Sequence, residues 1–164
     1  MVRAVFFDRD GTINHLVWHN NELGAPRSVE EIELVSNVEE VIKIIRKNYL
    51  IFVVSNQPDA AKGNISYDEM MEVINWFKSR FFGVVDKFYF CYHHPSRCKC
   101  LCRKPGTYFV EEAIQTFNIN VGSSWFVGDR EDTDVLCGKA VGLNTILVKN
   151  DYNPYELLNT IKFN

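Results

Sequence analysis

Short, largely apolar segments alternate with helical segments along most of this chain, and that alternation restricts the possible folds more than any other feature. The apolar segments cover 2–7, 49–55, 85–91, 124–129 and 144–148. Helical segments, most of them with one apolar face, lie between them at 36–47, 66–81, 107–117 and 134–142. Buried strands that alternate with helices predict a parallel sheet with helices on both sides. We therefore expect a three-layer α/β fold in which residues 1–164 form a single domain.

Several helix starts are also predicted. Ser36 and Ser66 each precede a glutamate by three residues, which is the spacing of a capping box. Asn153 followed by Pro154 predicts a last helix that has proline at its first position.

The composition gives no reason to expect a nucleic-acid or membrane partner. The 164 residues carry a formal net charge of −3, which provides no general attraction to polyanions. No apolar run approaches the roughly 20 residues that a membrane span requires, and Met1 leads directly into a charged, strand-like segment. We expect a cytoplasmic protein that is a monomer or a weak oligomer.

Polar side chains stand at the carboxyl ends of three predicted strands. Asp8 and Asp10 follow the first strand, Ser55 and Asn56 end the second, and Asp129 ends the fourth. In a parallel sheet these ends lie at one edge, where ligands bind. Carboxylates brought together there would repel one another without a cation, and Mg²⁺ is the usual divalent ion beside phosphate. A turn capped by Asp8 and Asp10 would account for that pair, since Asp-Gly is common in turns, but not for the polar residues at the other two strand ends.

The same residue types suit phosphoryl transfer. A carboxylate that faces the substrate can act as a nucleophile, and a second carboxylate two residues later can protonate the leaving oxygen and then activate water. Ser55 and Asn56 offer a hydroxyl and an amide to phosphate oxygens, and Lys104 offers a cation that offsets their charge.

Four stretches, in the order FFDRDGT, VVSNQ, CRKP and FVGDREDTDVLCGKAVG, resemble the four motifs of the haloacid dehalogenase superfamily of phosphatases. The resemblance covers essentially the whole chain. It implies that Asp8 forms an aspartyl-phosphate and that Asp10 is the general acid and base. It also implies that Ser55 and Lys104 hold the phosphoryl group. Mg²⁺ would then be bound by the Asp8 side chain, the Asp10 backbone carbonyl and Asp129.

One part of the fourth motif departs from the superfamily pattern. A second acid usually follows the first by about four residues, whereas this chain has Asp132 and Asp134. The next stretch, VLCGKAVG, aligns better if Asp134 is the acid that supports the magnesium site, so we predict Asp134. No segment between the motifs is large enough for a separate cap domain, which predicts an open site.

Four of the five cysteines fall between Cys91 and Cys102. In a reducing compartment such a cluster favours metal binding over disulfides. Cys-x-His followed by Cys-x-Cys offers sulfur and nitrogen ligands to tetrahedral Zn²⁺, and four protein ligands leave no place for a catalytic water. We expect a structural zinc loop over about 91–103. The residues alone leave open whether Cys98 or Cys100 is a ligand.

This loop resembles the zinc loop of two families, the heptose-bisphosphate phosphatases and the histidinol-phosphate phosphatases. Their pattern implies zinc ligation by Cys91, His93, Cys100 and Cys102. The stretches NQPDAAKG and DRDGTIN are more similar to the heptose-bisphosphate enzymes, although Lys62 replaces an arginine.

We therefore predict a Mg²⁺-dependent phosphatase of a small phosphorylated metabolite. The preferred substrate is a sugar bisphosphate such as D-glycero-D-manno-heptose 1,7-bisphosphate, with Arg103 beside Lys104 as a site for a second anionic group. Histidinol phosphate is the alternative. A phosphatase of polynucleotide ends, a non-catalytic phosphate-binding module and a phosphotransferase are lesser alternatives.

Overall fold

The structure is a computed structural model and describes residues 1–162. The strands are β1 (Ala4–Phe7), β2 (Val17–His19), β3 (Glu22–Gly24), β4 (Leu50–Asn56), β5 (Lys87–Cys91), β6 (Trp125–Gly128) and β7 (Asn144–Leu147). The α-helices are α1 (Val38–Ile45), α2 (Asp59–Lys62), α3 (Tyr67–Arg80), α4 (Tyr108–Phe117), α5 (Leu136–Ala140) and α6 (Glu156–Thr160). Single turns of 3₁₀ helix cover Val29–Glu31 and Val121–Ser123.

Five of the strands form one parallel sheet in the order β5-β4-β1-β6-β7. The first strand of the chain therefore lies at the centre, between β4 and β6. The register aligns Phe7 of β1 with Val53 on one side and with Val127 on the other. Because the strands are parallel, the residues that follow these positions emerge at the same edge of the sheet.

Both faces of the sheet are covered, and the predicted three-layer α/β class is confirmed. Successive strand residues point to opposite faces, so Val5 and Phe7 pack in one core with α1, α3 and α6. Ala4 and Phe6 pack in the other core with α4 and α5. In that second core the Phe6 ring centroid lies 4.9 Å from that of Phe52.

The predicted helix starts have different outcomes. The capping box at Ser66 is confirmed, since the Ser66 hydroxyl accepts a hydrogen bond from the Glu69 amide and the Glu69 carboxylate accepts one from the Ser66 amide. The capping box at Ser36 is wrong. Asn37 precedes α1 instead, in a left-handed conformation with φ of 65° and without a capping side-chain hydrogen bond.

Two further boundaries differ from the sequence prediction. Helix α6 begins at Glu156, so Pro154 lies just before the helix and not at its first position. The helix predicted over 134–142 is split, because residues Glu131–Val135 form a wider π-helical turn that leads into α5. This turn brings Asp134 back towards β6, where the Arg130 amide donates a hydrogen bond to Asp134 Oδ2 over 3.1 Å.

The segment between β1 and α1 contains an antiparallel hairpin. Strands β2 and β3 pair Trp18 with Leu23 and His19 with Glu22, apart from the main sheet. Across residues 1–162, no helix combines the length and the apolar character needed to cross a membrane.

Candidate active site

Three carboxylates meet at the carboxyl edge of the sheet. Asp8 directly follows β1, Asp129 follows β6, and Asp134 lies in the π-helical turn after β6. One carboxylate oxygen from each lies within 4.8 Å of the other two. Asp8 and Asp134 are buried, at 7% and 1% exposure, so few water molecules screen their repulsion.

The pKa values of Asp8 and Asp129 reflect that crowding. Burial, together with the carboxylates of Asp134 and Asp10, raises the pKa of Asp8 to about 7, although the Lys104 ammonium opposes part of the rise. Burial and the Asp134 carboxylate raise the pKa of Asp129 to about 6. The site therefore favours any additional positive charge that the three acids can share.

Lys104 already provides one such charge. Its Nζ lies 2.6 Å from Asp8 Oδ1, 2.7 Å from Asp134 Oδ1 and 2.6 Å from the Val54 carbonyl oxygen. Burial alone would lower the pKa of Lys104, but the Asp8 and Asp134 carboxylates outweigh it and raise that pKa above its ordinary value. The ammonium thus stays charged, and its single positive charge offsets part of the negative charge of Asp8 and Asp134.

The acids also fit a bound divalent cation. Asp129 Oδ1 is buried and has no hydrogen-bond partner among the described residues. A carboxylate oxygen left in that state costs free energy unless a ligand satisfies it. Oxygen atoms from carboxylates are the ligands that Mg²⁺ prefers, so the side chains of Asp8 and Asp129 could hold this ion, with Asp134 close by.

Two glycines allow the acids to approach this closely. A Cβ atom at Gly128 would overlap the carboxylate of Asp134, and a Cβ atom at Gly11 would overlap that of Asp129. Gly11 also has a φ of 84°, which other residues rarely adopt.

Asp10 lies beside this group but is held separately. Asp10 Oδ1 accepts hydrogen bonds from Arg9 Nε over 3.0 Å and from Asn14 Nδ2 over 3.1 Å. Its other oxygen, Oδ2, accepts one from Gln57 Nε2 over 2.6 Å. The carboxylate is therefore fixed through both oxygens, close to Asp8 but outside the three-acid cluster.

Ser55 and Asn56 both reach the site, and they do so differently. The Ser55 side chain is buried and its Oγ accepts a hydrogen bond from Gln57 Nε2 over 2.8 Å. The amide of Asn56 is engaged with the backbone of Lys104, since Lys104 N donates to Asn56 Oδ1 over 3.0 Å and Asn56 Nδ2 donates to the Lys104 carbonyl over 3.1 Å. Asn56 thereby holds the segment that presents the lysine.

These groups open into a cavity of about 250 Å³. Its floor includes Asp8, Asp10, Ser55, Lys104 and Asp129, and its walls come from the β2–β3 hairpin and from the loops around 56–64, 103 and 130. Further cations line it at Arg27, Lys62, Arg103 and Arg130. One guanidinium nitrogen of Arg103, Nη1, is buried without a hydrogen-bond partner among the described residues, so it is available to an anionic ligand.

Two of the residues that organise the site were not singled out by the sequence analysis. Arg9 and Gln57 are both buried, at 0% and 4% exposure, and both contact Asp10. Neither lines the cavity. An arginine between two aspartates gives no sequence signal that it will turn inward, because arginine is usually exposed.

The cysteine-rich loop brings four potential metal ligands together. The Sγ atom of Cys91 lies 3.6 Å from that of Cys100 and 3.4 Å from that of Cys102. His93 Nδ1 lies 3.5 Å from Cys91 Sγ and 3.2 Å from Cys102 Sγ. Zn–S bonds of about 2.3 Å in a tetrahedral site place sulfur atoms about 3.8 Å apart, so these residues fit a zinc ion. Cys98 is exposed and lies outside this group.

Comparison with known proteins agrees with the fold. A family model described as HAD-hyrolase-like matches residues 101–163. The D-glycero-beta-D-manno-heptose-1,7-bisphosphate 7-phosphatase of Haemophilus ducreyi is 33% identical over 158 residues, covering 90% of this chain and 83% of that protein. A probable D-glycero-D-manno-heptose-1,7-bisphosphate 7-phosphatase of Thermoplasma acidophilum is 32% identical over 146 residues, covering 87% of each chain.

Solved structures show the same fold. A putative HAD-like phosphatase from Mesorhizobium loti superposes with a TM-score of 0.70 at 30% identity, covering 87% of this chain and 69% of that one. The D,D-heptose 1,7-bisphosphate phosphatase of B. bronchiseptica, solved with magnesium and phosphate, gives a TM-score of 0.70 at 17% identity, covering 97% of this chain and 99% of that one.

The central β1 strand, flanked by β4 and β6 and ending in an acidic cluster, is the arrangement of a haloacid dehalogenase-like hydrolase. Within that class, the chain belongs to the phosphatase family that includes the D-glycero-D-manno-heptose-1,7-bisphosphate 7-phosphatases. The resemblance found in the sequence motifs and the prediction that the protein is a phosphatase are thereby confirmed.

Proposed function

We propose that this protein is a Mg²⁺-dependent phosphatase that hydrolyses D-glycero-D-manno-heptose 1,7-bisphosphate through an aspartyl-phosphate intermediate. The observation that carries the proposal is the convergence of Asp8, Asp129 and Asp134, with the buried Lys104 ammonium paired to Asp8 and Asp134. Asp8, Lys104 and Asp129 line the cavity. The names of the relatives at about 30% identity support the choice of substrate.

In the first step, an Asp8 carboxylate oxygen attacks the phosphorus atom, and the bond between phosphorus and the sugar oxygen breaks. Asp10 gives a proton to that departing oxygen. In the second step, water attacks the phosphorus of the aspartyl-phosphate while Asp10 takes its proton. Inorganic phosphate leaves, and Asp8 regains its carboxylate.

The other residues hold the phosphoryl group between these two acids. The Ser55 hydroxyl and the Lys104 ammonium contact phosphoryl oxygens, and Arg103 holds the second phosphate of the substrate through its unpaired guanidinium nitrogen. The side chains of Asp8 and Asp129 and the backbone carbonyl of Asp10 would hold Mg²⁺, and Asp134 would support the site. When bound, Mg²⁺ would neutralise the charge that the phosphoryl oxygens and the carboxylates share.

The test is Mg²⁺-dependent release of inorganic phosphate. We expect Asp8→Asn to lower kcat/KM by about 10³-fold or more, since it removes the nucleophile. The matched control is Asp132→Asn, the same substitution at an exposed acid that pairs only with Arg130 among the described residues. Equal activities of the two variants would contradict the assignment of Asp8.

The substrate is tested separately by comparing kcat/KM for heptose 1,7-bisphosphate, for other sugar phosphates and for histidinol phosphate. A preference for histidinol phosphate by orders of magnitude would reject the sugar bisphosphate and leave the phosphatase mechanism in place.

For the loop at 91–103, we propose a structural Zn²⁺ held by Cys91, His93, Cys100 and Cys102. The sulfur and nitrogen distances support this set. Such an ion fixes the backbone that leads directly into Arg103 and Lys104. We expect about one zinc per chain by elemental analysis, a large loss in Cys100→Ser and no loss in Cys98→Ser. Zinc retained in Cys100→Ser but lost in Cys98→Ser would reject this ligand set.

A further inference from the structure

We infer that Gln57, held in one orientation by the buried guanidinium of Arg9, is a positioning residue that aims the Asp10 carboxylate and the Ser55 hydroxyl at the substrate. The inference depends on the proposed function, because it assigns a role through Asp10 as the general acid.

Gln57 contacts both Asp10 and Ser55 but does not line the cavity. Its Nε2 donates one hydrogen bond to Asp10 Oδ2 over 2.6 Å and another to Ser55 Oγ over 2.8 Å. Asp10 and Ser55 line the cavity, whereas Gln57 does not, and Gln57 is only 4% exposed. It lies behind the floor of the site, so any effect that it has on the reaction acts through its two partners.

Arg9 decides which way the amide of Gln57 points. The guanidinium group has hydrogen-bond donors only, and its Nη2 donates to Gln57 Oε1 over 2.9 Å. The NH₂ group of Gln57 must therefore face Asp10 and Ser55. The same guanidinium donates to Asp10 Oδ1 through Nε over 3.0 Å. Its central carbon, Cζ, lies 4.8 Å from the centroid of the Phe77 ring. Arg9 is fully buried, so this arrangement is shielded from solvent.

This orientation has a direct consequence for Ser55. The amide NH₂ has two hydrogens, and each has one partner, Asp10 on one side and Ser55 on the other. Since Ser55 Oγ accepts a hydrogen bond from Gln57, its own hydrogen remains available to a phosphoryl oxygen. A flipped amide would instead turn Oε1 towards the Asp10 carboxylate and would draw the Ser55 hydrogen away from the substrate.

Asp10 is aligned by the same contacts. Its two oxygens are held from different directions by Arg9, Asn14 and Gln57. A carboxylate that must first protonate the leaving oxygen and then accept a proton from water gains from such a fixed direction, because proton transfer requires a short and aligned hydrogen bond. Removal of the Gln57 amide leaves Asp10 Oδ2 without its hydrogen bond, because Arg9 and Asn14 donate to Oδ1.

The experiment compares two leaving groups. The sugar oxygen of heptose 1,7-bisphosphate needs a proton as it departs, whereas p-nitrophenolate departs from p-nitrophenyl phosphate as a stable anion. We expect Gln57→Met to lower kcat/KM about 30-fold or more for the sugar substrate and about fivefold or less for the aryl substrate. Loss of general acid catalysis costs about 10²-fold or more, but only where the leaving oxygen needs a proton. The matched control is Gln115→Met on the exposed side of α4, which should change neither value.

Asp10→Asn is the reference that separates this inference from the proposed function. If Asp10→Asn itself shows no contrast between the two substrates, the assignment of Asp10 as general acid fails. If Asp10→Asn shows the contrast and Gln57→Met lowers both values equally, the alignment of Asp10 by Gln57 is overturned and the proposed function stands.

A second variant carries the test if Gln57→Met does not fold, as judged by circular dichroism. Arg9→Lys keeps the positive charge but loses the planar guanidinium group, whose nitrogens donate to Asp10 and to Gln57 at the same time. We expect the same contrast between substrates at a smaller size, and equal losses on both would overturn the inference.

Discussion

Replacement of Lys104 by methionine tests whether one ammonium holds the acidic cluster together. Methionine has a similar length but no charge, so the main loss is the ammonium, which also lies 5.4 Å from the centroid of the Phe126 ring. The Lys104 and Asp134 side chains are only 2% and 1% exposed, and that of Asp8 is 10% exposed. Removing one partner of a buried ion pair costs about 3–5 kcal/mol, since the remaining charge has lost both its water and its counter-ion.

The chain contains a matched control for burial. Arg130 forms an ion pair with Asp132 over 2.9 Å, but those side chains are 60% and 68% exposed. Exposed pairs contribute about 0–1 kcal/mol. Arg130→Met should therefore leave the free energy of unfolding almost unchanged, although it also breaks a short charge pair.

The assay is urea unfolding followed by circular dichroism, in Mg²⁺-free buffer that retains any bound zinc. With a denaturant slope of about 2 kcal/mol/M, Lys104→Met should lower the unfolding midpoint by about 2 M and Arg130→Met by less than about 0.5 M. Adding Asp134→Asn to Lys104→Met should recover part of the loss, because it removes one of the two unpaired carboxylates. A Lys104→Met midpoint equal to that of Arg130→Met would refute the reasoning.

Three further predictions concern other parts of the structure. Gly128→Ala should lower the free energy of unfolding by about 1–3 kcal/mol, because its Cβ would overlap the Asp134 carboxylate. In the same urea assay, Gly122→Ala should change that free energy by about 0.5 kcal/mol or less, since the atom nearest to its Cβ is 3.7 Å away. Ser66→Ala removes the cap of α3 and should cost about 1 kcal/mol, whereas Ser79→Ala, near the end of the same helix, should be neutral or slightly stabilising; equal effects would contradict the role of the cap. Removal of zinc by a chelator should lower the melting temperature, and Zn²⁺ but not Mg²⁺ should restore it; recovery with Mg²⁺ alone would reject a zinc loop.

The strands of the main sheet and most helices were predictable from the sequence, because the apolar patterns that indicate them involve residues close together along the chain. The apolar runs that became β1, β4 and β6 and the amphipathic pattern of α3 depend on residues a few positions apart. The failure at Ser36 shows the limit of such signals. The spacing of a capping box was present, but the chain turns through a left-handed Asn37 and the serine is not at the cap.

The candidate site was predictable only in part. Sequence logic placed Asp8, Ser55 and Asp129 at strand ends, and a parallel sheet necessarily gathers such ends along one edge. It did not find Arg9 or Gln57, whose hydrogen bond joins positions 48 residues apart. Nothing in the neighbourhood of Arg9 along the chain distinguishes it from an exposed arginine.

The sequence by itself determined the five strands of the main sheet, most of the helices and the polar residues that end the strands, because hydrophobic periodicity and turn chemistry act over short distances. The tertiary structure alone decided which charges meet. The order β4-β1-β6 brings Asp8 and Asp129 to one edge, and the turn at Glu131–Val135 selects Asp134 over Asp132 as the buried acid. The folding of the loop brings the Cys100 sulfur to Cys91 and leaves Cys98 exposed. The interaction of two charges depends on their separation and on the water between them, and packing sets both.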